Sequence, residues 1–265
     1  MISAAPQNRI LKTPALSSRQ FVLATDLDGT FLGGDASDRQ RLYDWIEAHR
    51  TSVGLVFVSG RDPEFIHQLC GSGDVPWPEY VIGDVGTTIA EVTEDRAIAP
   101  IATLEQQIAD QWQDSGDLIR ETLDGAAGLS LQPTEFRYRV SYDYDPATFE
   151  PETKARVEAM GFDVLISDNR FFDVLPRGVS KGPSLLRLLD HLRVPNGRVL
   201  AAGDTLNDLS MLVAGTAAVA VGGSEPSLLD VLPDQPNIHR AKGGGTAGIF
   251  EAIAHFELHP TPEKV

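Results

Sequence analysis

The sequence predicts an α/β protein whose core is a parallel sheet built from two segments of the chain, with an α+β unit inserted between them. Toward both ends of the chain, short apolar runs that suit buried strands alternate with helical patterns, an order typical of parallel sheets. Between these segments the pattern changes to alternating, half-exposed strands and amphipathic helices. The predicted parts are a flexible N-terminal extension (1–20), the core (21–99 and 178–265) and the inserted unit, called the cap (100–177).

The first core segment contains three apolar runs that suit strands buried on both faces. The first two runs end at polar turns, and in a parallel sheet such turns share the carboxyl edge, where ligands bind. The predicted strands are 21–25, 53–58 and 80–82, with a hairpin arm at 87–92 and helices at 39–50 and 63–69.

The second core segment resumes the alternation of strands and helices, whereas the cap between the segments does not follow it. For the second core segment the prediction is helices at 181–192, 209–214 and 248–256 and strands at 198–202 and 217–221. For the cap it is helices at 104–122 and 151–160 and strands at 136–142, 162–166 and 170–175.

The charge balance argues against partners that require a basic surface. The chain has 38 acidic and 22 basic residues, a formal net charge of −16 and a pI of about 4.7. Because nucleic acids and anionic membranes bind basic patches, neither is expected as a partner. If so acidic a chain binds an anionic ligand, it needs a metal ion or a few well-placed cations at the site.

No signal for export or for a membrane span is found. Residues 1–20 are polar and contain two prolines, unlike a secretory signal, and no later window offers the roughly 18 apolar residues of a span. The single cysteine, Cys70, excludes an intramolecular disulfide, suits a reducing compartment and is expected to be a small buried residue. A cytoplasmic location is therefore expected. The protein is also expected to be a monomer.

The first candidate motif is a pair of carboxylates directly after the first strand. Asp26 and Asp28 lie two positions apart in the sequence DLDGT, so in an extended chain their side chains lean to the same side. Two like charges this close repel, and a hard divalent cation with oxygen ligands offsets the repulsion. The alternative is an ordinary acidic turn.

The second candidate motif, GDTLND at residues 203–208, follows another buried strand and opens a helix. Asp204 and Asp208 can both face one site, although a helix cap by Asp204 or Thr205 is the simpler alternative. Because both acidic turns follow strands of one parallel sheet, together they predict a cation site.

Two further segments suit a bound anion. Ser59 and Gly60 follow the second strand near a helix start, where a hydroxyl and backbone amides favour an anion; the alternative is a helix cap by Ser59 or Asp62. Lys181 lies at a helix start, against the helix dipole, which indicates a task such as phosphate binding. The alternative there is an exposed surface lysine.

In this order the four motifs resemble those of the haloacid dehalogenase superfamily of phosphotransferases. The cap resembles the type C2 cap of that superfamily's sugar phosphatases (subfamily IIB), and residues 21–258 are similar to bacterial sucrose-6-phosphate phosphatases. Segments 84–87, 139–142, 173–176 and 247–256 carry this likeness. The sequence departs from the relatives at Gly29, where they often have Asn, at Ser59, where they often have Thr, and at 205–206.

The resemblance implies a Rossmann-like core and a magnesium-dependent phosphatase. It implies that Asp26 is the nucleophile and Asp28 the general acid and base, and that Mg²⁺ is held by Asp26, the Asp28 carbonyl and Asp204. The implied phosphate-binding and supporting residues are Ser59, Gly60, Lys181, Asn207 and Asp208. Sugar recognition is expected from Gly86, Thr87, Thr88, Arg139, Ser141 and Asp173, for which the alternative is a cap strand with satisfied polar groups.

A small sugar phosphate is the expected partner, and sucrose 6-phosphate the expected substrate. The alternatives are a phosphatase of mannosylfructose phosphate or of another glycoside phosphate, a phosphosugar mutase, and a sugar-phosphate-binding protein without activity. Since all four carboxylates of the two acidic motifs are present, a protein without activity is disfavoured. Association with a glycosyl-phosphate synthase is left open.

Overall fold

A computed structural model describes residues 15–260, which form a core with an eight-stranded sheet and a cap with a four-stranded sheet. The predicted α/β class is confirmed. Among these residues the strands are, in chain order, β1 (Phe21–Thr25), β2 (Val53–Val58), β3 (Tyr80–Gly83), β4 (Thr88–Val92), β5 (Ile98–Pro100), β6 (Leu129–Leu131), β7 (Val140–Tyr144), β8 (Phe162–Ser167), β9 (Phe171–Pro176), β10 (Val199–Gly203), β11 (Ala217–Gly222) and β12 (Ile238–Gly244).

The core sheet has the strand order β12-β11-β10-β1-β2-β3-β4-β5 and is parallel from β12 to β3. In the central register Thr25 of β1 lies opposite Phe57 of β2 and Ala202 of β10. The residues that follow these three strands therefore start from one carboxyl edge, although they are far apart in sequence.

Helices cover both faces of the core sheet, and a buried apolar cluster fills each interface. Every side chain of β1 and β2 is buried, which agrees with their continuous apolar sequences. The helices are α1 (Ala36–Ala48), α2 (Pro63–Gly71), α3 (Ala102–Trp112), α4 (Gly116–Thr122), α5 (Pro151–Ala159), α6 (Lys181–Leu192), α7 (Leu209–Leu212), α8 (Pro226–Val231) and α9 (Thr246–His255).

The cap contains α3, α4 and α5 and an antiparallel sheet of order β6-β7-β9-β8, with its own apolar cluster around Trp112 and Phe172. One long helix was expected over 104–122, but two are found, because Gln113 and Asp114 adopt positive φ angles that end the first helix.

Other boundaries also differ from expectation. β7 begins at Val140, not at residue 136, and Arg139 before it stacks on the ring of Phe136. Strands β5, β6 and β12 and helix α8 were not predicted, since their short or polar sequences carry weak patterns.

Residues 1–14 of the expected N-terminal extension lie outside the described residues. In the remainder, Leu16 and Arg19 are buried, and Arg19 donates to the Val53 carbonyl at 2.5 Å and pairs with Glu79 at 2.8 Å. The described part of the extension is thus packed on the core. The domain boundaries of core (21–99 and 178–265) and cap (100–177) stay a prediction. Among residues 15–260, no helix has both the length and the apolar character of a membrane span.

Candidate active site

Asp26 lies directly after β1 and is buried. Its backbone N–H donates to the Ala202 carbonyl of β10 at 2.9 Å, which fixes the chain at the sheet edge. Its Oδ1 accepts a hydrogen bond from Lys181 Nζ at 2.7 Å. Burial raises the pKa of Asp26 well above its ordinary value, and Lys181 offsets only part of this effect. A second positive charge would therefore favour the ionised carboxylate.

Lys181 is the first residue of α6 and is only 1% exposed. Its Nζ donates to Asp26 Oδ1, Asn207 Oδ1 and Asp208 Oδ1, each at 2.7 Å, which uses all three ammonium donors. Burial lowers the pKa of Lys181, but Asp208 and Asp26 outweigh it, so the pKa lies above its ordinary value. The sequence-predicted residues Asp26, Lys181, Asn207 and Asp208 are therefore in direct contact.

Asp208 organises the loop that follows β10. Its Oδ1 accepts from Lys181, and its Oδ2 accepts from the backbone N–H groups of Asp204 and Thr205, both at 3.0 Å. Glu225 supports the same loop, since its N–H donates to the Asp204 carbonyl at 2.8 Å. No pattern in the sequence links Glu225 to this loop, and we did not predict its role.

Asp204 faces Asp26 from the next strand. Its Oδ1 accepts from the Thr30 hydroxyl at 2.6 Å, and burial raises its pKa to about 6. One carboxylate oxygen from each of Asp26, Asp204 and Asp208 lies within 4.8 Å of the others. Since Asp208 has partners on both oxygens, Asp26 and Asp204 are the two carboxylates suited to bind a cation.

The donor set fits a magnesium ion. Two buried carboxylates and the partly buried Asp204 face one ammonium, which leaves an excess of two negative charges when all three are ionised, and all available ligand atoms are oxygens. Hard divalent cations prefer such ligands. Asp26 and Asp204, with the Asp28 carbonyl implied by the resemblance, would hold the ion, whose charge would offset that of the carboxylates and of a bound phosphoryl group.

The Asp28 carboxylate does not belong to this cluster but pairs with Arg61. Arg61 Nε contacts Asp28 Oδ2 at 2.9 Å and the Nη2 atom contacts Oδ1 at 3.2 Å, and both side chains are about half exposed. Asp28 thus lies at the mouth of the site. Arg61 lies in the turn after β2, and its contact with Asp28 was not predicted.

Ser59 lies at the carboxyl end of β2 and is buried. Its N–H donates to the Ile82 carbonyl at 2.8 Å, and its hydroxyl oxygen accepts from the Arg61 N–H at 3.1 Å. The hydroxyl proton remains available for an anionic oxygen. Gly60 follows in the same turn, so the predicted pair lies at the sheet edge beside the Asp26 turn.

The predicted sugar-binding residues Arg139, Ser141 and Asp173 meet within the cap. Asp173 Oδ1 accepts from the Ser141 hydroxyl at 2.5 Å and lies 3.5 Å from Arg139 Nη1. On the core side, Arg139 Nη2 lies 3.7 Å from Asp84 Oδ1, and the Thr88 hydroxyl donates to Asp84 Oδ2 at 2.7 Å. Burial raises the pKa of both aspartates. This cluster joins the cap to the core.

Gly86 and Thr87 stabilise the turn between β3 and β4. Gly86 has φ +107° and packs so closely on Ser180 that a Cβ would lie 2.4 Å from the Ser180 carbonyl carbon. Its carbonyl accepts from the Ser184 hydroxyl at 2.6 Å, and the Thr87 hydroxyl donates to the Asp84 carbonyl at 3.0 Å. Their observed contacts thus position the start of α6, which carries Lys181.

Gly29 allows the Asp204 carboxylate to lie close to the turn after β1. It has φ +78°, and a Cβ would lie 2.2 Å from Asp204 Oδ2. We expect Gly29→Ala to displace Asp204, to raise the magnesium concentration needed for half-maximal activity and to lower turnover about 10- to 100-fold. Activity titrations with magnesium would measure both effects.

Gly73→Ala is the matched control for this prediction. Gly73 has φ +85°, but a Cβ there would have no atom within 4 Å. Both variants should therefore show a similar loss of stability from backbone strain, about 1–2 kcal/mol, and only Gly29→Ala should lose activity. Equal activities of the two variants would contradict the role assigned to Gly29.

The fold and the site together define a phosphotransferase of the haloacid dehalogenase type. The defining features are an aspartate held by a lysine at the carboxyl edge of a parallel sheet, a second aspartate beside it and an α+β cap. Structures of subclass IIB sugar phosphatases share this fold. The family model described as Sucrose-6F-phosphate phosphohydrolase matches residues 19–257. The chain belongs to this family of phosphoric monoester hydrolases, which confirms the expected superfamily and enzyme class.

Individual relatives differ in the sugars that their names specify. The chain is 40% identical over 236 residues to a glucosylglycerol-phosphate synthase from Pseudomonas anguilliseptica, covering 89% of this chain but only 30% of that protein. It is 28% identical to the mannosylfructose-phosphate phosphatase of Agrobacterium fabrum, covering 90% of this chain and 98% of that protein. The structure of the sucrose-phosphatase of Synechocystis sp. PCC6803, solved with sucrose and phosphate, matches this one with a TM-score of 0.81 at 25% identity. The match covers 90% of this chain and 98% of that chain.

Proposed function

We propose that the chain is a magnesium-dependent phosphatase that hydrolyses a glycoside phosphate through an aspartyl-phosphate on Asp26. The observation that carries this proposal is the contact of Lys181 with both Asp26 and Asp208 beside the Asp204 carboxylate. Lys181 holds the nucleophile in place and supplies one positive charge for a phosphoryl group. Positioning and charge neutralisation account for most of the catalysis of phosphoryl transfer.

In the proposed first step, the free oxygen of Asp26 attacks phosphorus and the bond from phosphorus to the sugar oxygen breaks. The sugar oxygen keeps the bonding electrons and takes a proton from Asp28 in its carboxyl form, in which the protonated oxygen is released from Arg61. The Ser59 hydroxyl donates to one phosphoryl oxygen, and Lys181 donates to another by exchanging one of its three present contacts. The free sugar leaves, and the phosphoryl group stays on Asp26.

In the second step, the Asp28 carboxylate accepts a proton from a water molecule, whose oxygen attacks phosphorus. The bond between phosphorus and Asp26 breaks, which releases inorganic phosphate and restores the carboxylate. The proton that Asp28 gave to the sugar is thereby replaced by one from water, so the net reaction is hydrolysis of the ester.

The core–cap cluster supports a proposal for sugar recognition. Arg139 and Asp84 are each more than nine-tenths buried, yet Arg139 Nε and Asp84 Oδ1 have no hydrogen-bond partner. When core and cap move apart, a sugar hydroxyl can accept a hydrogen bond from Arg139 Nε and donate one to Asp84 Oδ1. We therefore keep Arg139, Ser141 and Asp173, with Thr88 on the core side, as residues that recognise the sugar.

Among glycoside phosphates, sequence similarity favours glucosylglycerol phosphate. The 40% identity to part of a glucosylglycerol-phosphate synthase exceeds the 28% identity to the mannosylfructose-phosphate phosphatase. The part of the synthase that aligns resembles a phosphatase of this family. A phosphatase unit in the same polypeptide as a synthase suits removal of phosphate from that synthase's product.

Sucrose 6-phosphate, the substrate expected from sequence, is the second candidate. It is favoured by the family model and by the structural likeness to a sucrose-phosphatase in complex with sucrose and phosphate. Because the sugar-binding cluster lies between core and cap, small changes in the cap can alter the sugar accepted while the phosphate site stays the same.

The test is release of inorganic phosphate from glucosylglycerol phosphate, sucrose 6-phosphate and mannosylfructose phosphate, compared by kcat/KM with magnesium present. We expect glucosylglycerol phosphate to exceed the others at least tenfold; a higher value for sucrose 6-phosphate would favour the second candidate. Phosphate release that requires a sugar bisphosphate, with transfer to a second sugar, would identify a mutase instead.

We further propose a cytoplasmic monomer that associates with a glycosyl-phosphate synthase. The association is supported by the relative in which a homologous segment and a synthase share one polypeptide. Size-exclusion chromatography of the chain alone and with a glucosylglycerol-phosphate synthase tests the oligomeric state and the association, since a monomeric elution volume and a shift with the synthase are expected.

A further inference from the structure

Both carboxylate oxygens of Asp28 are occupied by one side chain. Arg61 Nε lies 2.9 Å from Oδ2, and the Nη2 atom lies 3.2 Å from Oδ1. This two-point contact fixes the rotation of the carboxylate as well as its position, which a single contact does not do.

Arg61 is itself held by the loops that form the site. Its guanidinium lies 4.5 Å from the ring centroid of Phe65, its N–H donates to the Ser59 hydroxyl, and its carbonyl accepts from the Asp84 N–H at 2.9 Å. The Arg61–Asp28 pair therefore connects the turn after β1 to the turn after β2, and through Asp84 to the core–cap cluster.

Stability alone does not account for this arrangement. The side chains are 49% and 56% exposed, and ion pairs with this exposure contribute little to the free energy of folding. The same exposure places the pair where a substrate enters, so the contact can open and close during turnover without disturbing the fold.

We propose that Arg61 is a positioning residue for Asp28, which it holds where its carboxyl group can serve the sugar oxygen and then the attacking water. This inference rests on the function proposed above for Asp28. Sugar phosphates depend on such a group because an alkoxide leaves poorly without a proton. Cleavage of p-nitrophenyl phosphate in the first step does not, because nitrophenolate leaves as an anion. The second step is the same for both substrates and does not enter kcat/KM.

The experiment compares Arg61→Ala, Arg61→Lys and wild type with the best glycoside phosphate and with p-nitrophenyl phosphate. For Arg61→Ala we expect kcat/KM to fall about 10- to 100-fold with the glycoside phosphate and less than about threefold with p-nitrophenyl phosphate. Arg61→Lys should recover part of the loss, since one ammonium can hold one oxygen. Arg120→Ala, which breaks an exposed Arg–Asp pair on the cap, is the matched control and should change neither value.

A double-mutant cycle with Asp28→Asn separates positioning from direct sugar binding. If Arg61 acts through Asp28, adding Arg61→Ala to Asp28→Asn should lower the single-turnover rate less than about twofold. Independent, multiplicative losses, or equal losses with both substrates, would overturn the proposal. A wild-type protein that releases phosphate from neither substrate would instead refute the proposed function.

Discussion

Replacement of Asp26 by asparagine is expected to abolish phosphate release while the protein stays folded. The amide lacks the nucleophilic oxygen, so no aspartyl-phosphate can form, and kcat should fall at least about 10³-fold. Phosphate release under saturating substrate and magnesium measures the loss. Near-normal turnover in purified Asp26→Asn would mean that phosphorus is attacked by another group.

The same variant should be more stable than the wild-type protein in the absence of metal. Burial raises the pKa of Asp26 above its unfolded value, so the ionised carboxylate opposes folding at neutral pH, and a neutral amide removes this effect. Lys181 keeps Asn207 and Asp208 as acceptors. We expect a higher Tm for Asp26→Asn and an unchanged Tm for Asp117→Asn, which alters a fully exposed carboxylate. A lower Tm for Asp26→Asn would contradict the charge excess at this site.

Removal of divalent cations is expected to cause complete loss of activity, and magnesium should restore it. Without the ion, the excess negative charge of Asp26, Asp204 and Asp208 repels a phosphate ester. Dialysis against a chelator, followed by titration with magnesium, measures loss and recovery. Full activity at a metal content far below the enzyme concentration would exclude a magnesium requirement.

Binding of magnesium should also be visible without substrate. An ion that binds only the folded state stabilises it by about 2.7 kcal/mol at a hundredfold excess over Kd. Because burial raises the pKa of Asp204 to about 6, protons should compete with the ion as the pH falls through that value, so the half-saturating magnesium concentration should increase. Asp204→Asn should abolish the stabilisation, whereas Asp117→Asn should not.

The core could be predicted because its local patterns agree with its tertiary environment. β1 and β2 are continuous apolar runs, and both are found at the predicted positions, since a strand covered by helices on each face requires apolar residues throughout. The cap was predicted less well. Its sheet is partly exposed. The break between helices α3 and α4 depends on positive φ angles at Gln113 and Asp114, and neither of these residues is a proline or a glycine that would indicate a break.

The sequence by itself determined the fold class, the superfamily and which acidic turns lie at the carboxyl edge of the sheet, because these follow from hydrophobic pattern and motif order. Only the tertiary structure decided which side chains meet. The sequence showed only that Lys181 lies at a helix start, which is unusual for a lysine. The structure shows that it contacts Asp26, Asn207 and Asp208. No sequence pattern indicated that Arg61 would pair with Asp28. The physical reason is that hydrogen bonds and ion pairs require side chains within about 3–4 Å, and such distances between residues far apart in sequence are set by strand register and loop conformation.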